Sequence, residues 1–253
     1  MTDRPTRAVR AGSFDSAADL YERGRPPYPP AALDWLLPAG AGRVLDLGAG
    51  TGKLTRQLVA RGLDVVAVEP LAGMRAQLAR VVPGARVLAG SAERIPLADG
   101  AVDAVLAAQA WHWVDPARAV PEVARVLSPG GTLGLIWNER DEREPWVAEL
   151  GRIVGETRAD DSDDGEENTS DHPQVGPPFA PLERHDVPWV HQVTLPGLLD
   201  MVASRSYAIL LPPEERQAPL SRVRQLAQTH PAVAGQPSIS LPYITQCWRA
   251  YRP

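Results

Sequence analysis

The stretch from Val44 to Thr55 (VLDLGAGTGKLT) limits what this chain can fold into more than any other part of it. A short apolar strand ends in the carboxylate Asp46, a glycine-rich turn follows, and a helix begins within a few residues. The backbone must therefore reverse tightly against something. Glycine allows this because it tolerates positive φ and has no Cβ to hold a ligand away from the main chain. Spacing separates the nucleotide loops that use such a turn. A dinucleotide loop reads G-x-G-x-x-G, the last glycine letting the helix pack on the strand. Here the pattern is G-x-G-x-G, and Lys53 stands where that last glycine belongs. A phosphate-cradling loop, G-x-x-x-x-G-K followed by Ser or Thr, would put Leu47 at its first glycine and Leu54 after the lysine, so it fails at both ends.

Asp46 supplies the positive argument. A buried carboxylate is costly unless paired, and beside a pyrophosphate it would repel the ligand, so a cationic ligand suits the turn better. S-adenosylmethionine carries an ammonium and a sulfonium and no phosphate. Downstream residues follow the same order. Asp64 to Pro70 (DVVAVEP) is a second apolar strand with Glu69 at its carboxyl end, where an α/β fold places an acid for two ribose hydroxyls. Val87 to Gly90 leads into Ser91, Ala92 and Glu93, and Val102 to Gln109 runs into Ala110-Trp111-His112-Trp113. Four strand ends thus present polar or acidic groups on one edge, where open α/β sheets bind ligands.

These residues resemble motif I and the following motifs of the class I S-adenosylmethionine-dependent methyltransferases, over about Phe14 to Arg140. Tyr21 to Pro29 (YERGRPPYP) and Gln109 to Trp113 are similar to the small-molecule branch that includes ubiquinone/menaquinone-type and trans-aconitate-type enzymes. The resemblance implies a Rossmann-like, mostly parallel seven-stranded sheet with an antiparallel last strand, helices on both faces and helical lid elements. It implies that Asp46, Gly48, Gly50 and Thr51 line the methionine part of the cofactor, that Glu69 with Pro70 holds the ribose, and that Ala92 and Glu93 frame the adenine. Ser91 replaces an Asp that often stands there. Gln109 would border the methionine end, and Tyr21 and Arg25 would fold over the cofactor from the N-terminal side, Arg25 facing its carboxylate. Each has a plainer alternative: Glu69 and Glu93 as solvated loop acids, Tyr21 and Arg25 as packing of the first helix.

Length and composition fit one domain of 253 residues, 44% of them hydrophobic, with 1–40 as the N-terminal lid, 41–140 as the cofactor core and 141–253 as the acceptor-side cover and final strands. A net charge of −5 offers no electrostatic footprint for nucleic acid. Cys247 is the sole cysteine, which excludes an internal disulfide. No apolar run reaches membrane-spanning length and the N-terminus has no export core, so the expectation is a cytoplasmic protein, monomer or homodimer. The spacing predicts helices over Ser16–Arg23, Pro29–Leu37, Leu54–Arg61, Leu71–Val82, Pro116–Leu127, Trp146–Glu156, Leu195–Leu211 and Glu214–Gln228. Pro129-Gly130-Gly131 reads as a turn into a strand over Thr132–Trp137, and further strands are predicted over Leu182–Thr194 and Ile239–Tyr251. The acidic run Arg158 to Asp171 reads as a solvated loop. Its Asp160–Asp171 part has Gly165 where a calcium loop has its glycine, but Asp171 replaces the bidentate glutamate, and no metal-ligand set is identifiable elsewhere.

Methyl transfer needs an in-line approach of the acceptor and, for a hydroxyl, a base. His112 follows the fourth strand and is the residue type able to exchange a proton near neutral pH, which makes it the candidate. A carboxylate acceptor would need no base, and a histidine between two tryptophans can also be mere packing. Trp111, Trp113 and Trp137 either line an apolar acceptor pocket or belong to the core. Ser204 to Tyr207 is the polar patch expected to face the acceptor, through Arg205 and Tyr207, or else is helix surface. The leading expectation is methylation of a small molecule, on oxygen. The alternative is a non-catalytic protein that binds S-adenosylmethionine or S-adenosylhomocysteine as a sensor or scaffold, and an NAD-dependent oxidoreductase is disfavoured by the loop spacing.

Overall fold

The computed structural model describes residues 24–159, 173–204 and 215–253. The chain forms two compact units: Pro27–Asn138 with Glu167–Val187 and Thr245–Pro253, and Met1–Pro26 with Glu139–Glu166 and Pro188–Ile244. The first contains α1 (Pro30–Leu36), β1 (Arg43–Leu47), α2 (Lys53–Ala60), β2 (Asp64–Glu69), α3 (Ala72–Val81), β3 (Arg86–Ala89), β4 (Val102–Ala108) and α4 (Pro116–Val126). β5 (Leu127–Arg140), β6 (Glu183–Val193) and β7 (Ile239–Tyr251) run through both units, while α5 (Pro145–Ala159), α6 (Leu195–Ala203) and α7 (Gln217–Thr229) belong to the second.

The seven strands form one sheet in the order β3-β2-β1-β4-β5-β7-β6. β1 to β5 pair in parallel. β7 runs the other way, since Gly130 bonds to Arg252 at one end of β5 and Asp141 to Pro242 beyond the other. The expected antiparallel last strand is therefore present.

Strand parity sorts the core of the first unit into two faces, as a period of 2 requires. Leu45, Val66, Val68, Val105, Leu133, Leu135 and Trp137 point to one face and pack against Ala119, Val120, Val123 and Ala124 of α4. Val44, Val65, Ala104, Leu106 and Ile136 point to the other and meet Leu33 and Leu36 of α1 and Leu54 and Leu58 of α2. On that same side Ala67 packs with Leu78 of α3. Helices therefore cover both faces. In the second unit, Val147, Leu150 and Val154 of α5 pack with Leu198 and Val202 of α6, Val223 and Leu226 of α7, and Leu241 and Tyr243 of β7.

Local chemistry sets the helix starts. Asp115 caps α4 by accepting from the Ala117 amide at 3.0 Å, Thr194 caps α6 through the Gly197 amide at 3.3 Å, and both helices carry proline in the first turn.

Two spans differ from expectation. The Pro129-Gly130-Gly131 turn is absorbed into β5, which begins at Leu127. Gly130, at φ 76°, makes an irregularity in the β4 pairing, while its amide and the Gly131 carbonyl bond to Arg252, so β7 continues the ladder across it. α5 runs to Ala159, into the start of the acidic stretch. The helix expected over Ser16–Arg23, the remainder of the acidic stretch with its calcium-like loop, and the end of the helix expected to Leu211 lie outside the described residues. β6, at the sheet edge, carries Pro188 midway and the exposed Val190 just after it. Among the described residues, no helix is long and apolar enough to cross a membrane.

Candidate functional site

The carboxyl end of β1 runs straight into the glycine turn. Gly48, Gly50 and Gly52 have φ of 71°, 56° and 93°, the left-handed region in which a side chain is strained. The Gly48 and Ala49 amides both donate to the Val68 carbonyl, at 2.8 and 3.1 Å, which anchors the turn on β2. A Cβ on Gly48 would stand 2.7 Å from the Ala110 Cβ, so the segment after β4 lies directly against the turn. Gly52 then caps α2, and Thr51 is buried beneath it.

Two carboxylates flank the turn. Asp46 is 1% exposed, and its Oδ2 accepts from the Thr55 hydroxyl at 2.5 Å. Its Oδ1 is buried and meets no hydrogen-bond partner among the described residues. Burial pushes its pKa up to about 7, with Thr55 opposing and the nearby Glu69 charge adding to the rise. Glu69 is 5% exposed; its Oε2 accepts from the Gly50 amide at 3.0 Å and its Oε1 from the Leu71 amide at 2.8 Å. These bonds hold the carboxylate across the turn. The Arg75 guanidinium donates to the carbonyls of Glu69 and Pro70, at 2.9 and 2.6 Å, and pins the end of β2.

The third and fourth strand ends complete this edge. Ser91 and Arg94 bridge through their main chains, and Ala92 packs into the core below them. Glu93 Oε1 accepts from the Asp115 amide at 2.9 Å. Burial works against its charged form, but that bond, a hydrogen bond from Ser91 and the Arg118 charge hold its pKa below the ordinary carboxylate value. Gln109 stands just past β4 at φ 53°, its amide donating to the Ile136 carbonyl at 2.9 Å.

His112 and Trp113 are half-buried, their rings tilted at 46° with centroids 4.9 Å apart. Trp111 and Trp137 lie in the hydrophobic core at 3% and 2% exposure, and Trp111 Nε1 donates to the Gln174 carbonyl. Asp46, Gly48, Gly50, Thr51, Glu69, Pro70, Ser91, Ala92, Glu93, Gln109 and His112 therefore belong to one unit, at or just beyond the carboxyl ends of β1 to β4. Arg25 belongs to the other unit, and Tyr21, Arg205 and Tyr207 lie outside the described residues. Sequence reasoning missed Thr55, Arg75 and Asn138. A threonine on the apolar face of α2 and an asparagine closing an apolar strand were the available signals. Among the described residues, no group of three His, Cys, Asp or Glu side chains could hold a metal.

The arrangement fits S-adenosylmethionine on this chain's own atoms. Among the described residues the buried Asp46 Oδ1 meets no donor, a Cβ at Gly48 has no room, and Glu69 stands buried across the turn at the end of β2. Comparison with known proteins agrees. A methyltransferase domain family model matches residues 45–135. Uncharacterized methyltransferases of Mycobacterium tuberculosis and Mycobacterium bovis are 58% identical over 238 residues, 94% of this chain and 95% of theirs. A demethylmenaquinone methyltransferase of Beutenbergia cavernae is 39% identical over 132 residues, 49% of this chain and 55% of that one. A candidate type II methyltransferase of Anaeromyxobacter dehalogenans superposes with a TM-score of 0.65 at 26% identity, covering 90% of this chain and 97% of that one. Near-full-length similarity to methyltransferases, joined to this sheet order and this glycine turn, makes the chain a member of the class I S-adenosylmethionine-dependent methyltransferases.

Proposed function

We propose that the chain methylates a small-molecule acceptor on oxygen by in-line displacement, with His112 as the base. The cofactor, when bound, supplies a methyl carbon already activated by its sulfonium. The protein's task is to bind, orient and exclude water, and orientation alone is worth about 7–11 kcal/mol in well-aligned systems. Asp46 attracts the cationic part of the cofactor, with Gly48, Gly50 and Thr51 forming the wall beside it. Glu69 and Pro70 hold the ribose; Ser91, Ala92 and Glu93 border the purine; Gln109 borders the methionine end. The family resemblance also assigns Tyr21 and Arg25 to the cofactor.

On the acceptor side, His112 takes the hydroxyl proton, and its half-buried place beside Trp113 keeps the imidazole partly out of water. Trp111 and Trp137 give that side its apolar backing, and the sequence assigns Arg205 and Tyr207 to the acceptor. The net charge of −5 and the partial likeness to an enzyme named for demethylmenaquinone support a small molecule over nucleic acid.

One observation carries the reading: the buried Oδ1 of Asp46, without a hydrogen-bond partner among the described residues, beside a turn with no room for a Cβ at Gly48. Titration calorimetry with S-adenosylmethionine, S-adenosylhomocysteine and NAD, followed by a labelled-methyl screen against metabolite extracts, tests it. Binding of the first two with transfer to an extractable hydroxyl compound is expected. Binding of NAD alone would end the proposal, and donor binding with no labelled product in any extract would leave a non-catalytic binder.

A further inference from the structure

β5 is apolar for most of its length and then reaches a polar residue nearly as buried, Asn138 at 7% exposure. A buried carboxamide is unfavourable unless both its halves are bonded. Asn138 Nδ2 donates to the Pro27 carbonyl at 2.9 Å, and Oδ1 accepts from the fully buried Thr245 hydroxyl at 2.6 Å. The partners fix which end is which, because a proline carbonyl can only accept. The side chain is thus locked on both sides, and its own main-chain carbonyl is locked with it.

That carbonyl accepts from Gln109 Nε2 at 3.3 Å. Among the described residues, Gln109 is the only one other than glycine with positive φ. A strained conformation of this kind persists only where its surroundings over-determine it, and such residues cluster at functional sites. Here the holding groups come from β5: the Ile136 carbonyl takes the Gln109 amide and the Asn138 carbonyl takes its side chain. The next residue, Ala110, is the one whose Cβ would clash with a side chain at Gly48. Gln109 therefore leads directly into the residue that lies against the glycine turn.

We propose that Asn138 is a positioning residue for methyl transfer: clamped between Pro27 and Thr245, it holds Gln109 in its left-handed conformation against the cofactor turn. The inference rests on the proposed place of Gln109 at the methionine end of the cofactor.

Gln57 provides an internal control. Its carboxamide on α2 also makes two hydrogen bonds to the segment that holds Pro27, to the amide and carbonyl of Tyr28 at 3.0 and 2.7 Å, and no bond to Gln109 is among them. The test is calorimetry of S-adenosylhomocysteine binding, with melting temperatures, on full-length Asn138→Ala, Asn138→Asp, Gln57→Ala and Gln109→Ala. Asn138→Asp keeps the shape but turns an oxygen toward the Pro27 carbonyl.

Gln109→Ala is expected to weaken binding, and both Asn138 variants to raise Kd about five- to tenfold, the range of one to two hydrogen bonds. Gln57→Ala should lower the melting temperature comparably and keep Kd within about twofold of wild type. Asn138→Ser, which keeps a short polar group, replaces any variant that does not fold. Asn138 variants that melt lower but bind within about twofold, while Gln109→Ala binds weakly, overturn the inference alone. Wild-type binding by Gln109→Ala overturns the site reading beneath it.

Discussion

The state of Asp46 can be tested by pH, with Asp46→Asn as reference. In the cofactor-free protein, burial moves this carboxyl from 3.8 to about 7, which corresponds to about 4 kcal/mol of linkage at the upper limit. Because the folded value is raised, the folded state holds the extra proton. The associated stability is fully present below about pH 4, and it is lost as pH rises toward 7. Asp46→Asn cannot titrate, so the wild type should fall relative to this variant by about 4 kcal/mol between pH 4 and pH 8, read by urea denaturation at each pH. Taking the difference removes the other titrating groups, which both proteins share. A bound cation should draw Asp46 into its ionised form. S-adenosylmethionine binding at pH 6 should then release nearly one proton, and at pH 8 about a tenth of one, measured by calorimetry in buffers of different ionisation enthalpy. A stability difference that stays flat across this range, or binding at pH 6 without proton release, would refute both the protonated resting state and the argument that the turn selects a cation.

Further outcomes are expected at the turn and at the acceptor side. Gly50→Val puts a β-branched side chain at φ 56° where the amide must reach Glu69, so it should abolish S-adenosylhomocysteine binding and lower stability by about 1–3 kcal/mol. His112→Ala should cut turnover by about 100-fold or more once an acceptor is found, and leave donor affinity nearly unchanged; unchanged turnover would remove the base. Thr55→Val leaves Asp46 Oδ2 without its hydroxyl, and should raise the Asp46 pKa further and cost about 1–3 kcal/mol in denaturation at pH 8.

What was legible in the sequence depended on whether the cause is local. The turn from Val44 to Thr55 is dictated by its own glycines and its strand, so spacing excluded the phosphate-binding loops and Asp46 pointed to a cationic ligand. Alternating apolar runs and helices indicate a parallel α/β sheet, and β1 to β5 do pair in parallel, whereas the seven strands and the antiparallel last one were implied by the family resemblance and not by the alternation. Partnerships between distant residues were not legible. Nothing near Asn138 announces Pro27 or Thr245, which stand 111 and 107 residues away along the chain. Thr55 was hidden in an ordinary amphipathic helix, and its bond to Asp46 appears only when α2 packs back on β1. The Pro129-Gly130-Gly131 run misled for a related reason: it reads as a turn, but the hydrogen bonds offered by Arg252 turn it into an irregular part of a strand.

The outer strand of the sheet has a bearing on how copies of this protein meet one another. A strand at a sheet margin exposes a row of main-chain donors and acceptors that can template another chain. Proline at position 188 removes a donor from that row, the charged run Glu183, Arg184 and Asp186 lies exposed ahead of it, and the solvent-facing Val190 follows two residues on. Such punctuation interrupts a ladder before it can propagate. Crowded copies should therefore resist zipping together along this margin, and Pro188→Val, which restores an uninterrupted Val-Trp-Val run next to Val187, should be the variant that clumps on concentration.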